Sequence, residues 1–146
     1  MISVVWQDEQ PSAVVLALHR ATHATLQALA TRLAGLDLPA SEINVLANLA
    51  GHGPLTVGAL ATATATRPTT LTSVLDRLVR RGYVVREVDP ADRRSFLVSL
   101  TPAGQHAART VSAAVRELEQ GVLARVSPAQ RAGFFAVVDA LSEAQL

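Results

Sequence analysis

The fold is decided by residues 55–101, which read LTVGALATATATRPTTLTSVLDRLVRRGYVVREVDPADRRSFLVSLT. A short helical pattern comes first, and the hydroxyl of Thr56 can cap its free N–H groups. A second helical pattern begins at Thr66 or Arg67, with Pro68 in its first turn, where a missing N–H has no cost. The buried stripe of this second helix recurs at helical spacing, through Leu71, Val74, Leu75 and Leu78. The first half of the stretch therefore predicts two consecutive helices.

Two segments rich in β-branched and aromatic residues follow, at positions 83–88 and 95–100. The loop between them, at 89–94, is longer than a tight turn requires, so the pattern predicts a hairpin. Two helices and then a hairpin is the order of a winged helix-turn-helix, in which one helix enters the major groove of DNA beside the hairpin. The predicted fold class is mainly α with a small β-hairpin wing (α+β).

Long amphipathic helices are predicted on both sides of this unit. The N-terminal one covers residues 12–35 and ends at Gly35, a residue typical of helix C-termini. Residues 102–143 predict two more helices, and the second opens with a capping box at Ser127. Apolar spacing of this kind also forms seams between subunits. These segments are therefore predicted to be dimerisation helices around a winged part at residues 38–101.

Composition narrows the classes of function. The 146 residues include no Cys, which excludes disulfides, thiolate metal sites and cysteine redox sensing in this chain. No apolar run is long enough for a membrane span, and Asp8 and Glu9 near the N-terminus do not fit a secretory signal. The sequence thus predicts one cytoplasmic domain over residues 1–146, with residues 1–10 as a loosely attached arm that Trp6 can pin.

Positive charge is concentrated in residues 55–101, although the formal net charge of the chain is only +1. All 13 basic residues are Arg, which a GC-rich genome explains. That explanation does not cover their clustering, because seven of them lie between Arg67 and Arg94. The stretch carries seven Arg and four acids, a charge of about +3, against roughly −2 for the remainder. A basic patch on a nearly neutral chain is typical of nucleic-acid binders.

The polar face of the second predicted helix combines hydroxyl groups with arginine. The candidate DNA contacts on it are Arg67, Pro68, Thr69, Thr70, Thr72, Ser73 and Arg77. Ser and Thr bond to phosphates or base edges, and Arg pairs bidentately with guanine or holds a phosphate. The alternative is an ordinary solvated helix face. Several hydroxyl residues at a helix start do not favour helix formation, which argues for another role.

Arginines of the hairpin give a second signal. Arg86, Arg93 and Arg94 are the candidate DNA contacts of the wing. A hairpin tip bearing Arg can reach the narrow minor groove, where the negative potential is concentrated. The alternative is a solvated turn whose charges serve solubility. The hairpin arginines and the polar face of the preceding helix together indicate DNA binding more specifically than either feature alone.

Short motifs in this stretch match a known family. They are Leu55-Thr56-Val57, Leu60-Ala61, Pro68-Thr69-Thr70-Leu71-Thr72, Leu75-Asp76-Arg77-Leu78, Arg81-Gly82-Tyr83-Val84, Asp89-Pro90-Ala91-Asp92-Arg93-Arg94 and Val98-Ser99-Leu100-Thr101-Pro102-Ala103-Gly104. With these motifs the chain resembles the MarR (multiple antibiotic resistance regulator) family of bacterial transcription factors, over roughly residues 12–143. It departs at positions 64–66, where the family usually has Gly between aliphatic residues. It also departs at Arg67, where a cap hydroxyl is usual, and at Ser73, where Arg is frequent.

The resemblance implies a homodimeric repressor on a pseudo-palindromic DNA operator, with the first helix and the last two helices of both copies interlocked. Residues 68–80 would lie in the major groove and Arg93 in the minor groove. Arg94 would support the wing by pairing with Asp76, and such a partner makes chemical sense because an unpaired carboxylate there would repel phosphate. Asp92 is the second candidate for supporting the wing.

The resemblance also implies a small aromatic or phenolic effector, bound between the dimerisation helices and the winged part, that releases DNA. His19, Arg20 and His23 are the candidate ligand-binding residues, with Trp6 and Arg32 as further lining candidates. The two histidines are four residues apart, a spacing that can hold zinc, but no third ligand lies near them in sequence. No metal and no cofactor is therefore predicted.

Two other classes of function compete with this prediction. The first is a winged-helix module that binds proteins and not DNA. The second is an enzyme, and the sequence argues against it because it offers no Cys nucleophile, no His-Glu metal motif, no Gly-rich phosphate loop and no Ser in a nucleophile elbow.

Overall fold

The computed structural model describes residues 13–144 and confirms the predicted fold class. The elements in chain order are α1 (Ala13–Arg32), α2 (Ala40–His52), β1 (Leu55–Thr56), α3 (Val57–Ala63), α4 (Pro68–Arg80), β2 (Val84–Val88), β3 (Phe96–Leu100), α5 (Pro102–Leu123) and α6 (Pro128–Glu143). A single 3₁₀ turn, Ala34–Leu36, follows α1. The expected arm at residues 1–10, with Trp6, lies outside the described residues.

Helix starts are set by the capping residues that the sequence predicts. The Thr56 hydroxyl accepts a hydrogen bond from the Ala59 N–H of α3 at 3.1 Å. Ser127 and Gln130 form the reciprocal capping box of α6, with both hydrogen bonds present. Helix α4 begins at Pro68 without a side-chain cap on Arg67. Each cap satisfies an N–H that has no partner inside the helix and so fixes the residue at which the helix begins.

The sheet has three antiparallel strands in the order β1-β3-β2, so β3 is central. The hairpin pairs Val84 with Leu100 and Val88 with Phe96 across β2 and β3. On the other side of β3, Leu55 is opposite Val98. The two-residue strand β1 was not predicted, because two residues cannot show an alternating pattern. Through β1 the wing is joined by backbone hydrogen bonds to the start of α3.

A continuous apolar core lies between α2, α3, α4, α5 and the sheet, and α1 contributes Leu29 to it. Its fully buried side chains include Leu46, Leu60, Leu71, Leu75, Leu78, Val98 and Val111. The predicted stripe of α4 is buried throughout, whereas α6 has no buried residue among those described. The core therefore holds the winged part and the first half of α5, and α6 remains outside it.

The predicted end of the first helix is wrong. Helix α1 ends at Arg32 and not at Gly35, because the chain tightens into the 3₁₀ turn and reverses at Asp37, whose φ is +48°. Helix α2 continues through Gly51 to His52 and ends at Gly53, whose φ of +75° suits a residue without a side chain. One glycine inside a helix costs only about 1 kcal/mol, which neighbouring contacts offset.

None of the helices formed by residues 13–144 combines the length and apolar content that crossing a membrane requires.

Candidate nucleic-acid interface

Helix α4 presents a polar, hydroxyl-rich face to solvent. Since Leu71, Val74, Leu75 and Leu78 face the core, helical spacing places the polar residues on the opposite side. The exposed residues there are Pro68, Thr69, Thr70, Thr72, Ser73 and Arg80. The Thr72 hydroxyl donates to the Pro68 carbonyl at 2.9 Å, and its oxygen can still accept a hydrogen bond. The face thus combines short donors and acceptors with one long cation.

The N-terminus of α4 is open to an external acceptor. Arg67 occupies the N-cap position, is exposed, and makes no side-chain capping bond. The N–H groups of Thr69 and Thr70 lie in the first turn, where no preceding carbonyl of the helix can accept them. Phosphate oxygens are natural acceptors at such a helix end, because the helix dipole is positive there.

Arg77 has a contact that sequence analysis did not predict. Its Nε donates to Oε1 of Glu42 at 2.8 Å, and Arg81 Nε lies 3.3 Å from Oε2 of the same carboxylate. Glu42 is fully buried, whereas the two arginines are about one-third to two-fifths exposed. Arg81 also donates to the carbonyls of Leu36 and Asp37, at 3.3 and 2.8 Å. This cluster therefore joins α4 to α2 and to the connector that follows α1.

The predicted partner of Asp76 is wrong. Its Oδ1 accepts from Nη2 of Arg86 on β2 at 2.5 Å, and Arg94 makes no ion pair with it. The reason is the register of the hairpin. Arg86 is in the strand opposite Val98, next to α4, whereas Arg94 lies in the loop beyond the end of both strands. The pair between Asp76 and Arg86 connects the recognition side of α4 to the wing.

The wing tip is held by its two acids. Asp89 Oδ1 accepts from the Ala91 N–H at 2.9 Å, and Asp92 Oδ1 accepts from the Arg94 N–H at 3.0 Å. Asp92 Oδ2 also accepts from the Ser95 hydroxyl at 3.3 Å. These are local turns in which a side chain takes the place of a backbone carbonyl. The loop therefore has a defined shape even though it projects beyond the sheet.

The guanidinium groups of the tip have no partner among residues 13–144. Arg93 and Arg94 are both exposed, and neither side chain takes part in a hydrogen bond or ion pair there. Because Asp89 and Asp92 are oriented toward backbone N–H groups, they do not neutralise these cations by contact. The tip therefore carries two guanidinium groups that no acid of the described residues contacts, and it lies beside the polar face of α4.

The candidate ligand residues of α1 are not brought together with any described cavity. His19, Arg20 and His23 are exposed along the middle of α1. A groove of mixed polarity lies elsewhere, between the end of α2, the end of β3 and α5, with a volume of about 570 Å³. Its lining includes Leu49, Leu100, Gln105, Ala108, Arg109, Ser112 and Arg116. Sequence analysis missed these residues. The sequence shows the spacing of Arg109 and Arg116, but it does not show which elements pack opposite α5.

A second groove is almost entirely apolar and lies between α1, α5 and α6. It has a volume of about 450 Å³ and is lined mainly by Leu29, Val115, Leu118, Val122, Val126, Phe134 and Phe135. Phe134 and Phe135 are 56% and 49% exposed, and their rings contact edge to face at 5.6 Å between centroids. Exposed apolar side chains gathered in one groove make it a candidate interaction site.

Other residues missed by sequence analysis are Glu42 and Arg81. A signal for Glu42 was present, because it occupies the first position of an i, i+3, i+4, i+7 stripe whose other members are Val45, Leu46 and Leu49. A carboxylate at a core position requires a cationic partner. Arginines on the facing helix were the available partners, but their pairing depends on how α2 and α4 cross.

Comparisons with known proteins agree with this geometry. A family model described as MarR family matches residues 36–95. An uncharacterised HTH-type transcriptional regulator of Mycobacterium leprae is 37% identical over 86 residues, which is 59% of this chain and 58% of that protein. The chain spans between 52% and 62% of the length of four curated relatives that it matches.

Solved structures match over nearly the whole chain. A probable transcriptional regulator from Pseudomonas aeruginosa has a TM-score of 0.72 at 30% identity, covering 92% of this chain and 98% of that one. BpsR of Bordetella bronchiseptica, whose DNA binding is regulated by 6-hydroxynicotinic acid, has a TM-score of 0.76 at 26% identity. That match covers 97% of this chain and 99% of BpsR, so it includes the terminal helices as well as the winged part.

Proposed function

The chain belongs to the MarR family of transcriptional regulators, and on this premise we propose that it is a cytoplasmic homodimeric repressor that a small aromatic molecule releases from DNA. The observation that carries the proposal is the pairing of two surfaces: the hydroxyl-rich face of α4 and the two unpaired arginines of the adjacent wing. An α-helix fits the major groove, which is about 12 Å wide, and an arginine loop fits the narrower minor groove next to it.

The residues of α4 divide into two groups by their contacts. Thr69, Thr70, Thr72 and Ser73 are exposed and are proposed to meet bases and phosphates, with Arg67 and Pro68 at the open helix end. Arg77 is held by Glu42 through its Nε, so only its terminal nitrogens remain for DNA. The Glu42 contact fixes the direction of this guanidinium, which favours one defined phosphate or base contact.

In the wing, Arg93 is proposed to enter the minor groove. Its side chain is exposed and unpaired within residues 13–144, and the turn built on Asp92 orders the backbone that carries it. An ordered loop loses less conformational entropy on binding than a mobile one, which favours affinity.

A second copy of the chain is the proposed occupant of the apolar surface on α1, α5 and α6. Val14, Val15 and Leu16 near the start of α1 are each more than half exposed, and α6 presents Phe134 and Phe135. These helices flank the winged part on its own chain, so pairing them with a copy places two α4 helices in one particle. A dimer with two-fold symmetry is suited to a pseudo-palindromic operator, because each half-site meets one α4 helix.

The groove between α2, β3 and α5 is the proposed effector site. Arg109 and Arg116 are seven residues apart on α5 and supply positive charge, while Leu49 and Leu100 supply an apolar surface. A ring bearing a carboxylate satisfies both requirements. The groove joins the winged part to a dimerisation helix, so a ligand in it can change their relative position. The regulation of BpsR by 6-hydroxynicotinic acid supports a ligand of this class.

The DNA-binding proposal is tested by sequencing genomic fragments that the purified protein retains at moderate salt, and then measuring affinity for the recovered site by fluorescence anisotropy. We expect a pseudo-palindrome with half-sites about 34 Å apart. Arg93→Ala is expected to weaken binding and lower the salt dependence by about one counterion. Arg125→Ala is the matched control, since the length of α5 places it about 30 Å from the wing.

Failure to retain any DNA fragment at low salt would overturn the proposal and favour the alternative, a winged-helix module that binds proteins. The effector site has a separate test. Adding 6-hydroxynicotinic acid or benzoate is expected to weaken operator binding by the native protein and to have less effect on an Arg109→Gln/Arg116→Gln variant. An equal response of both proteins would exclude the groove as the site.

A further inference from the structure

The turn between α3 and α4, at residues 64–67, sets the direction of α4. Helix α3 ends at Ala63, and α4 begins at Pro68. The ring of Pro68 keeps the preceding Arg67 extended, with a φ of −63° and a ψ of 141°. Residues 64–66 therefore determine how the two helices meet. Because α4 is about 20 Å long, a rotation of ~10° at the turn would move its far end by ~3 Å.

The turn is a Schellman motif with alanine at the position that is usually glycine. The Thr66 N–H donates to the Ala61 carbonyl at 3.0 Å, and the Ala65 N–H donates to the Thr62 carbonyl at 3.2 Å. Ala65 has a φ of +49°, in the left-handed region. The Cβ of an L-residue in this region lies too close to the following carbonyl oxygen, so the turn is strained and requires support from its surroundings.

Asn44 of α2 supports the turn from outside the two helices. Its Nδ2 donates to the Thr64 carbonyl at 3.2 Å. Its Oδ1 accepts from Nδ2 of Asn48 at 3.0 Å, which orients the amide. Among the side-chain hydrogen bonds of residues 13–144, the one from Asn44 to Thr64 is the only one that ties the turn to an element other than α3 and α4.

The polar contacts of the turn replace an apolar one. A Schellman motif is frequently accompanied by an apolar contact between the residue after the left-handed position and its helix. That residue is Thr66 here, and its hydroxyl donates to the Thr64 carbonyl at 3.1 Å instead. The same positions are those at which the chain departs from the MarR family, which usually has Gly between aliphatic residues. The departure therefore leaves the Thr64 carbonyl, and the amide of Asn44 that holds it, to fix the turn.

We propose that Asn44 is a positioning residue for α4, which keeps the strained turn at Ala65 in the geometry that α4 needs to read its operator. This inference rests on the proposed function, because it requires α4 to bind DNA. Base contacts discriminate only when the side chains are held within about 0.5 Å of the required geometry. Contacts with phosphates carry no sequence information. Loss of the anchor is therefore expected to lower affinity for the operator more than affinity for other DNA.

The test compares the native protein and Asn44→Ala on the recovered operator and on a shuffled duplex of the same length, by fluorescence anisotropy. Asn44→Ala is expected to bind the operator about three- to tenfold more weakly, the factor that one lost hydrogen bond represents, and the shuffled duplex less than about twofold more weakly. Thr62→Ala is the matched control, since the Thr62 hydroxyl is exposed and donates within α3, to the Gly58 carbonyl at 3.2 Å. An equal loss on both duplexes would overturn the inference and make Asn44 a phosphate contact.

A second substitution tests whether Asn44 acts through the turn. Glycine adopts a φ of +49° without the steric cost of a Cβ, so Ala65→Gly removes the strain that the anchor opposes. The double variant Asn44→Ala/Ala65→Gly is expected to recover operator affinity to within about twofold of the native value. A double variant that binds no better than Asn44→Ala would contradict a role through the turn.

A measurement without DNA separates positioning from contact. Hydrogen exchange of the amides in residues 64–66 is expected to accelerate at least several-fold in Asn44→Ala, because the turn opens more often without its anchor. The same amides are expected to keep native exchange rates in Thr62→Ala. Native exchange rates in Asn44→Ala would show that the turn does not depend on Asn44, which would overturn the inference.

Failure of this inference is distinguishable from failure of the proposed function. If the native protein retains DNA but Asn44→Ala binds the operator with native affinity, only the positioning role of Asn44 is lost. If the native protein binds no DNA at all, the proposed function is lost, and the role of Asn44 in positioning α4 on an operator is lost with it.

Discussion

Helix α4 buries four side chains against its own chain, whereas α6 is three residues longer and buries none. The first belongs to the winged part, whose apolar stripe meets α2, α3 and the sheet. The second belongs to the helical frame, by which we mean α1, α5 and α6. Phe134 of the frame is 56% exposed, whereas Leu71 of α4 is fully buried. Both helices have amphipathic sequences, but only the first buries its apolar face within the chain.

This difference shows how the same kind of pattern serves two purposes. An apolar stripe that is buried within one chain stabilises at any protein concentration, with about 25 cal/mol for each Å² removed from water. A stripe that needs a second copy stabilises only when the partner is bound, so its contribution depends on concentration. The winged part is therefore expected to unfold at a fixed midpoint, and the frame to respond to dilution.

The largest expected effect is on assembly. A Phe134→Glu substitution is expected to weaken dimerisation at least ~1,000-fold, because each of two copies would bury a charge at a cost of several kcal/mol. Sedimentation velocity over a dilution series measures this. Phe96→Glu is the matched control, since Phe96 is 50% exposed but lies in the wing. Equal dissociation of the two variants would contradict the distinction between frame and winged part.

The next effect concerns the buried carboxylate of the winged part. Replacing both partners of Glu42, as Arg77→Met/Arg81→Met, is expected to cost about 3–5 kcal/mol in the free energy of unfolding. The reason is that Glu42 is fully buried and would lose both of its cationic partners. Urea denaturation measures the loss. Arg80→Met on the same helix is the control and is expected to change stability by less than about 0.5 kcal/mol.

Adding Glu42→Leu to the double variant is expected to recover most of the lost stability, since an apolar side chain suits the surrounding core. A double variant as stable as the native protein would show that the Glu42 cluster does not support α4.

A smaller effect is expected where the frame joins the winged part. A Cβ at Gly104 of α5 would lie 1.8 Å from the Tyr83 carbonyl oxygen, so Gly104→Ala requires the backbone to move. We expect a loss of about 1–3 kcal/mol, as for other overpacked sites. Gly121 of the same helix has no atom near its added Cβ, and Gly121→Ala is expected to stabilise by up to about 1 kcal/mol. Thermal unfolding of both variants at one concentration tests the contrast.

The smallest effect is at the helix caps. Thr56→Ala removes the cap of α3 and Ser127→Ala removes the capping box of α6, and each is expected to cost about 1 kcal/mol. The loss at Thr56 should appear in the unfolding of the winged part at every concentration. The loss at Ser127 should appear chiefly as weaker dimerisation. Ser142→Ala, which alters an exposed hydroxyl late in α6, is the neutral control.

Much of the winged part could be predicted because its signals are local. Pro68 marks the start of α4, and the stripe through Leu71 and Leu78 follows at the required spacing. The hairpin was predictable from its β-branched segments. The partner of Asp76 was not predictable, because Arg86 and Arg94 both belong to the hairpin and the sequence does not show which of them lies next to Asp76. The register of β2 on β3 selects Arg86.

The helical frame and the proposed ligand groove could not be predicted in the same way. The amphipathic pattern around Phe134 predicts a buried face, but sequence cannot tell whether the cover comes from the same chain or another copy. Arg109 and Arg116 share one face of α5 by spacing alone. Their groove exists only because Leu49 at the end of α2 and Leu100 at the end of β3 face that helix. Sites built from distant elements require the tertiary structure.

The short strand β1 limits the spacing of the operator that the proposed function requires. Leu55 and Thr56 pair with β3, and Thr56 also caps α3, so hydrogen bonds tie the wing to the start of the helix that precedes α4. Under the proposed function, the distance between the bases under α4 and those under the wing is therefore expected to be constant within a half-site. A base pair inserted within a half-site is expected to abolish binding.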